Sequence, residues 1–116
     1  ELSTLGHPLA DFAYHLMVYR MPSALGGLAD IDLASENIPS EQAQVEAYCR
    51  ATGRDGIPDL DYFIAFNLFR FAAIIHGIRG RVARGNAVSP QAKTRAEQFP
   101  ALAALGWAQA RAANSR

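Results

Sequence analysis

Between Leu60 and Ile75 the chain sets out Leu60, Tyr62, Phe63, Ile64, Phe66, Leu68, Phe69, Phe71, Ile74 and Ile75. Wound as a helix, these side chains leave almost no polar side; only Asp61, Asn67 and Arg70 interrupt them. A helix apolar on every side belongs inside a packed domain. The pattern therefore predicts a buried central helix over about Asp59 to Arg84, with other helices around it. Asp59 is a candidate N-cap, and Gly85-Asn86 suits the stop. Beyond Ile75 the helix turns basic, with His76, Arg79, Arg81 and Arg84. Gly77 and Gly80 lower helix propensity there and would let another backbone approach.

The flanking segments also read as helices. Pro8 fits a first helical position, where its missing N–H costs nothing, and Gly6 allows the turn before it. Leu9, Phe12, Ala13, Leu16 and Met17 recur at helical spacing, predicting a helix to about Arg20 with one buried face. A long connection follows, from Met21 to Pro39, with Gly26-Gly27 and several acids. Loops of that length are commonly functional or packed on another element. Ser40 is a good cap for a second helix through Thr52, and Gly53 a good stop. Ser89-Pro90 opens the last helical region, which Pro100 should split near Phe99. Leu102, Leu105 and Ala108 can pack inward there with Trp107 as an anchor, and 112–116 should fray. No segment reads as a strand. The expected fold class is all-α, with four to five helices around a buried central one.

A chain of 116 residues, half of them hydrophobic, can bury one core. Residues 1–116 are expected to form a single helical domain. No uninterrupted apolar run approaches the roughly 18 residues of a membrane span, and no secretory leader is visible. Cys49 is the sole cysteine; it falls in a helical pattern and reads as a small buried hydrophobe. A reducing cytoplasm is the expected compartment. The formal net charge is zero, but up to Asp61 ten acids face three arginines, a balance of −7, which the remainder reverses to +7. Such segregation suits a polarised surface.

Few residues carry chemistry by spacing alone. His7, His15 and His76 are scattered and make no metal site with a carboxylate; His15 reads as a core histidine. Asp30, Asp32 and Glu36 lack the pattern of a calcium loop and read as a solvated acidic loop. Arg70, inside the apolar run, needs a partner or an open cavity, because an unpaired buried charge is costly. The residues favour a structural ion pair with Asp11, Asp59 or Asp61; the second reading makes Arg70 a wall of an acceptor pocket. Arg79, Arg81 and Arg84 with His76 could bind phosphate, or could be a solvated helix end complementing the dipole. The basic stretch is short and lacks interleaved aromatics, which argues against nucleic acid.

Two strings carry a resemblance. The first is Leu5-Gly-His-Pro-Leu-Ala-Asp-Phe-Ala-Tyr14. It resembles the segment after the metal-binding aspartate of the aminoglycoside phosphotransferase and choline kinase-like family, whose usual form is Gly-Asp/His-Pro-Leu-x-Asp-Leu-Ala. The second is Asp61-Tyr-Phe-Ile-Ala-Phe-Asn-Leu-Phe-Arg-Phe-Ala-Ala-Ile-Ile-His-Gly-Ile78, followed by Gly85-Asn86-Ala87. It is similar to a segment of the branch fused to, or encoded beside, acyl-CoA dehydrogenases; His76 replaces the usual glutamine.

The resemblance implies the helical C-terminal lobe of a protein-kinase-like phosphotransferase, joined to an N-terminal lobe upstream of Glu1. It implies ATP and magnesium in the full enzyme and transfer of a phosphoryl group to a hydroxyl of a small molecule. The catalytic loop and metal aspartate should also lie upstream, leaving no catalytic residue and no metal ligand in this chain, and the fragment alone inactive. Asp11 matches the helix aspartate that supports the catalytic loop through its backbone. Arg70, His76, Arg79 and Arg81 would line the acceptor side and favour an anionic or neutral acceptor, a hydroxyacyl-CoA among them. No nucleic acid and no membrane are expected as partners. A free-standing helical scaffold domain without catalysis is the alternative.

Overall fold

The computed structural model describes residues 5–115. The expectations resting on Glu1 and Arg116 lie outside the described residues. Within them the chain is all-α, with five α-helices and no strand.

Helix α1 (Pro8–Leu16) starts where Pro8 predicted and tightens into a 3-10 turn at Met17–Arg20. The tightening has a local cause. In a regular α-turn the Val18 carbonyl would accept from residue 22, but Pro22 has no N–H; it accepts instead from the amides of Met21 and Leu28. The connection that follows is pinned rather than loose. Asp30 accepts hydrogen bonds from the Ser23 amide at 2.6 Å and the Ser23 hydroxyl at 2.7 Å. The Tyr19 hydroxyl donates to the Pro39 carbonyl at 2.7 Å. Gly27 is buried directly against the Met21 carbonyl, and a β-carbon there would overlap it.

Helix α2 (Glu41–Thr52) has the expected cap, the Ser40 hydroxyl accepting from the Ala43 amide, and ends at Gly53 with φ +71. Helix α3 (Leu60–Ala83) runs through the middle and packs on α1, α4 (Pro90–Glu97) and α5 (Phe99–Asn114). Asp59 stands at the cap position of α3, but its side chain caps nothing. Ser89 caps α4 as expected, and Pro100 lies one residue inside α5, just past the predicted split. The helix of α5 persists to Asn114 rather than fraying from Ala112.

The core joins Ala13, Leu16 and Met17 with Met21 and Leu25 of the connection, Ile64, Leu68, Ala72 and Ile75 of α3, and Leu102 of α5. Cys49 is buried, as its pattern predicted. Arg20 ties the outer helices to this core. Its Nε and Nη2 donate to the Glu41 carboxylate at 2.6 and 2.9 Å. Its Nη1 reaches Gln109 at 2.9 Å and the buried Asp61 at 3.0 Å. One guanidinium thus joins the end of the first helix to α2, α3 and α5.

The expectation of a central helix buried all round is corrected. On α3, Tyr62 is 61% exposed and Phe69 72%, with Phe66 and Ile74 also exposed; on α5, Trp107, expected as an inward anchor, is 65% exposed. The side of α3 carrying Ile64, Leu68 and Ile75 is packed against other helices, whereas Tyr62, Phe66, Phe69 and Ile74 are left exposed. By its 24 residues and a mean hydropathy of 1.2, α3 is long and apolar enough to cross a bilayer. Ile64 and Leu68, fully buried against neighbouring helices, make it the core helix of this bundle.

Candidate functional site

The opening turn of α1 positions the first candidate. His7 is the N-cap, its Nδ1 accepting the Leu9 amide at 3.1 Å. The same ring lies 5.0 Å from that of Phe63. Asn67, fully buried, donates from Nδ2 to the carbonyls of Ala10 and Phe63, each at 2.9 Å. Its Oδ1 accepts no hydrogen bond among the described residues. The start of α1 is therefore tied to α3 just ahead of Asp11, through the His7 ring and the Ala10 carbonyl. The Asp11 carboxylate stands exposed at that turn, and no described residue forms a hydrogen bond with it.

Asp11 and Arg70 line one open hollow of about 530 Å³ with His7, Tyr62, Phe63 and Phe66. Arg70 is exposed and forms none of the three ion pairs considered for it. Its guanidinium lies 5.0 Å over the Tyr14 ring, a contact that orients a cation without neutralising it. Helix geometry excludes two of the three partners. Asp61 lies about two and a half turns away, on the opposite side of α3, and Asp59 about three turns down the axis. Asp61 instead meets Arg20.

The remaining candidates fall elsewhere. His76 and Arg79 are exposed and flank Phe99 from one side, at 5.0 and 5.6 Å. Arg79 lines a separate hollow of about 490 Å³ with Lys93 and Glu97. Nine residues separate Arg79 from Arg70, which puts the two on opposite sides of α3. Arg81 is exposed near the C-terminal end of α3 and lines neither hollow. Gly77 and Gly80 admit no other backbone: their open sides face the guanidinium groups of Arg81 and Arg84, one turn on. His15, expected in the core, is exposed beside Phe12; it sits off the face that carries Leu9, Ala13 and Leu16. Among the described residues no three His, Cys, Asp or Glu side chains group closely enough to hold a metal ion.

Two residues that sequence reasoning passed over belong to this surface. His7 could have been found, since the residue before a proline at the first helical position is the cap. Arg95 could not. Its guanidinium lies 5.7 Å over the ring of Phe71, which is distant in sequence.

No family model matches the chain. A solved structure, that of a candidate aminoglycoside phosphotransferase from Ralstonia eutropha JMP134, superposes with a TM-score of 0.85 at 40% identity, over 95% of this chain and 34% of that one. Acyl-CoA dehydrogenase family member 10 of Mus musculus is 36% identical over 110 residues, 92% of this chain. Family member 11 of Gallus gallus is 37% identical over 112 residues, 91% of this chain. The chain spans only 10% and 14% of the length of those two relatives.

Proposed function

We propose, for a chain whose sequence and fold are those of the C-terminal lobe of an aminoglycoside phosphotransferase-like protein in the acyl-CoA dehydrogenase-associated branch, that it is the acceptor-side lobe of an ATP-dependent small-molecule kinase. The observation that carries this reading is the agreement with the phosphotransferase structure, at 40% identity across nearly the whole chain. The geometry of α1 supports it. Asp11 is held rigidly by the His7 cap and the Asn67 clamp, yet its carboxylate is offered outward. That suits a group that accepts backbone N–H bonds from a catalytic loop supplied by the rest of the enzyme. Asp11 is then a positioning residue. The exposed Tyr62, Phe66, Phe69 and Trp107 also suit a lobe that meets further structure, and they speak against a free-standing scaffold.

The described residues do not fit a nucleotide–magnesium site, since they bring together no metal-binding cluster. ATP and magnesium are assigned to residues outside this chain, and the chain alone is expected to be inactive. What this lobe contributes is the charge and shape of the acceptor side. Of the four candidates, Arg70 shares a hollow with Asp11 and is the one best sited to meet an acceptor near the transferred phosphoryl group. His76, Arg79 and Arg81 would meet only a more distant part of a long acceptor. An arginine here opposes a polycationic aminoglycoside and favours an anionic hydroxyl compound, of which a hydroxyacyl-CoA is the one proposed. The lone buried Cys49 fits a reducing cytoplasm.

The test is acceptor KM with ATP saturating, measured on the full-length enzyme and its Arg70→Gln variant. One lost charge-assisted hydrogen bond should raise KM about ten- to a hundred-fold for an anionic acceptor, with little change in Tm. A lowered Tm at unchanged KM would make Arg70 structural.

A further inference from the structure

We infer that an aromatic hollow between α3 and α5 holds the acyl chain of an amphipathic anion whose charged end meets Arg70. This hollow has a volume of about 750 Å³, and Tyr62, Phe66, Phe69 and Trp107 line it. Tyr62 and Phe66 also line the hollow that holds Asp11 and Arg70. The two hollows therefore adjoin across these two rings. On α3, Phe66 stands about one turn from Arg70, and Tyr62 about one turn further. The rings thus lead away from the guanidinium along the helix. Two adjoining hollows make an elongated site, which suits an extended chain better than a compact ring system.

The aromatic hollow has a simple origin. A β-carbon at Gly106 would stand 3.6 Å from Leu68 Cβ, so α5 lies close against α3 at that level. One and two turns on, α5 contributes only Ala110 and Ala113, and α3 adds Ala65 among its rings. Small side chains give the depth and aromatic ones the walls, as in sites that take apolar groups. The charges at the two hollows differ in use. Asp59 and Arg111 both line the aromatic hollow, and their charges cancel, so it favours an uncharged occupant. Arg70, seated over the Tyr14 ring, keeps in-plane N–H groups for a carboxylate or phosphate oxygen. That the bound anion is the phosphoryl acceptor rests on the function proposed above; the affinity of the aromatic hollow for an acyl chain does not.

The experiment measures, by calorimetry and without nucleotide, the binding of straight-chain fatty acids from butyrate to dodecanoate by the full-length polypeptide that contains this chain. Affinity should rise about two- to fourfold per added methylene until the hollow is full. Ala110→Trp, which fills the hollow from α5, should flatten that rise. Phe69→Ala, at an exposed ring, should weaken dodecanoate about three- to tenfold and leave butyrate unchanged. Arg70→Gln should weaken every length alike and keep the slope. Tm reports that each variant is folded, and Phe69→Ala keeps the test open if Ala110→Trp does not fold. A slope that both hollow variants leave unchanged would overturn the inference, as would no dependence on length in the wild type. A large fall in Tm in Phe69→Ala without any such dependence would put protein, not an acyl chain, on the rings. Unchanged binding in Arg70→Gln would overturn the placement of the charged end. Because no nucleotide is present, chain-length-dependent binding by a polypeptide that transfers no phosphoryl group would leave this inference standing while the proposed activity fails.

Discussion

Replacing Arg20 by methionine keeps the length of the side chain and removes its charge and all four of its hydrogen bonds. The Arg20 side chain is only 22% exposed, its Asp61 partner 10% and its Glu41 partner 26%. The Glu41 hydrogen bond is the largest influence on the guanidinium and, with Asp61, raises its pKa despite the opposing effect of burial. Hydrogen bonds to charged groups contribute about 1.5–3 kcal/mol each, but they do not sum. Glu41 is wet enough to recover much of its hydration, so its share is discounted. Asp61 is not, and losing the cation beside it dominates. The net expectation is a loss of about 2–4 kcal/mol. At roughly 3–5 °C per kcal/mol for a domain of this size, Tm should fall by about 6–20 °C. The loss should also be directional. Apart from the Arg20–Glu41 pair, α2 meets the body through the Phe12–Tyr48 ring stack at 4.0 Å, Val45 against the core, the buried Cys49, and Tyr19 on Pro39 just ahead of the helix. Amide exchange in α2 should therefore rise before exchange in α3. The assay is calorimetry with hydrogen exchange on wild type, Arg20→Met, Glu41→Gln and the double variant. A Tm change under about 2 °C, or an α2 that stays as protected as α3, would refute the reasoning.

Other perturbations test separate links. Gly27→Ala should cost about 1–3 kcal/mol or prevent folding, because its methyl overlaps the Met21 backbone; Gly106→Ala meets Leu68 and Phe69 only at ordinary contact distance, 3.6 Å, and should be neutral or stabilising by up to about 1 kcal/mol, as chemical denaturation will show. The Ser23 hydroxyl, and then its amide, hold the Asp30 carboxyl below its ordinary 3.8. Its contribution to the 21–30 segment is thus present above pH 3.8 and lost as pH falls through the lowered value; a carbon-detected titration of Asp30 with a midpoint at or above 3.8 would be the contrary result. Asp11→Ala in the full-length enzyme should lower kcat at least about tenfold while leaving ATP KM within about twofold, and unchanged turnover in a folded variant would remove Asp11 from its supporting role.

How far the fold was legible depended on how local each signal is. Pro8, Ser40, Ser89 and Pro100 marked helix starts to within a residue, because a cap or a missing N–H acts on the next turn alone. Gly53 marked a stop for the same reason. Asp59 failed as a cap because its backbone enters α3 at φ −100 and ψ 25 rather than extended, and composition does not encode that angle. The apolar run fixed α3 as a helix but not which sides would be covered: Tyr62 and Phe69 satisfy the same pattern whether or not anything lies over them. Arg20 was unreadable as a hub, since Glu41, Asp61 and Gln109 lie 21, 41 and 89 residues away. At the candidate site, Asp11 emerged from a string of neighbours, and the structure presents its carboxylate outward. The arginines were legible as a cluster in sequence but not in space. Helical periodicity puts Arg70 and Arg79 on opposite sides of α3, and a count by composition conceals this.

The measurement that tests the account most directly is transfer of label from γ-labelled ATP by the full-length polypeptide that contains this chain. The acceptors compared should be a hydroxyacyl-CoA, its deoxy analogue and an aminoglycoside, with and without magnesium. The account predicts magnesium-dependent label on the hydroxyacyl-CoA, none on the deoxy analogue, and a hydroxyl-linked phosphate in the product. Absence of transfer to any hydroxyl acceptor by folded, nucleotide-bound protein would contradict it.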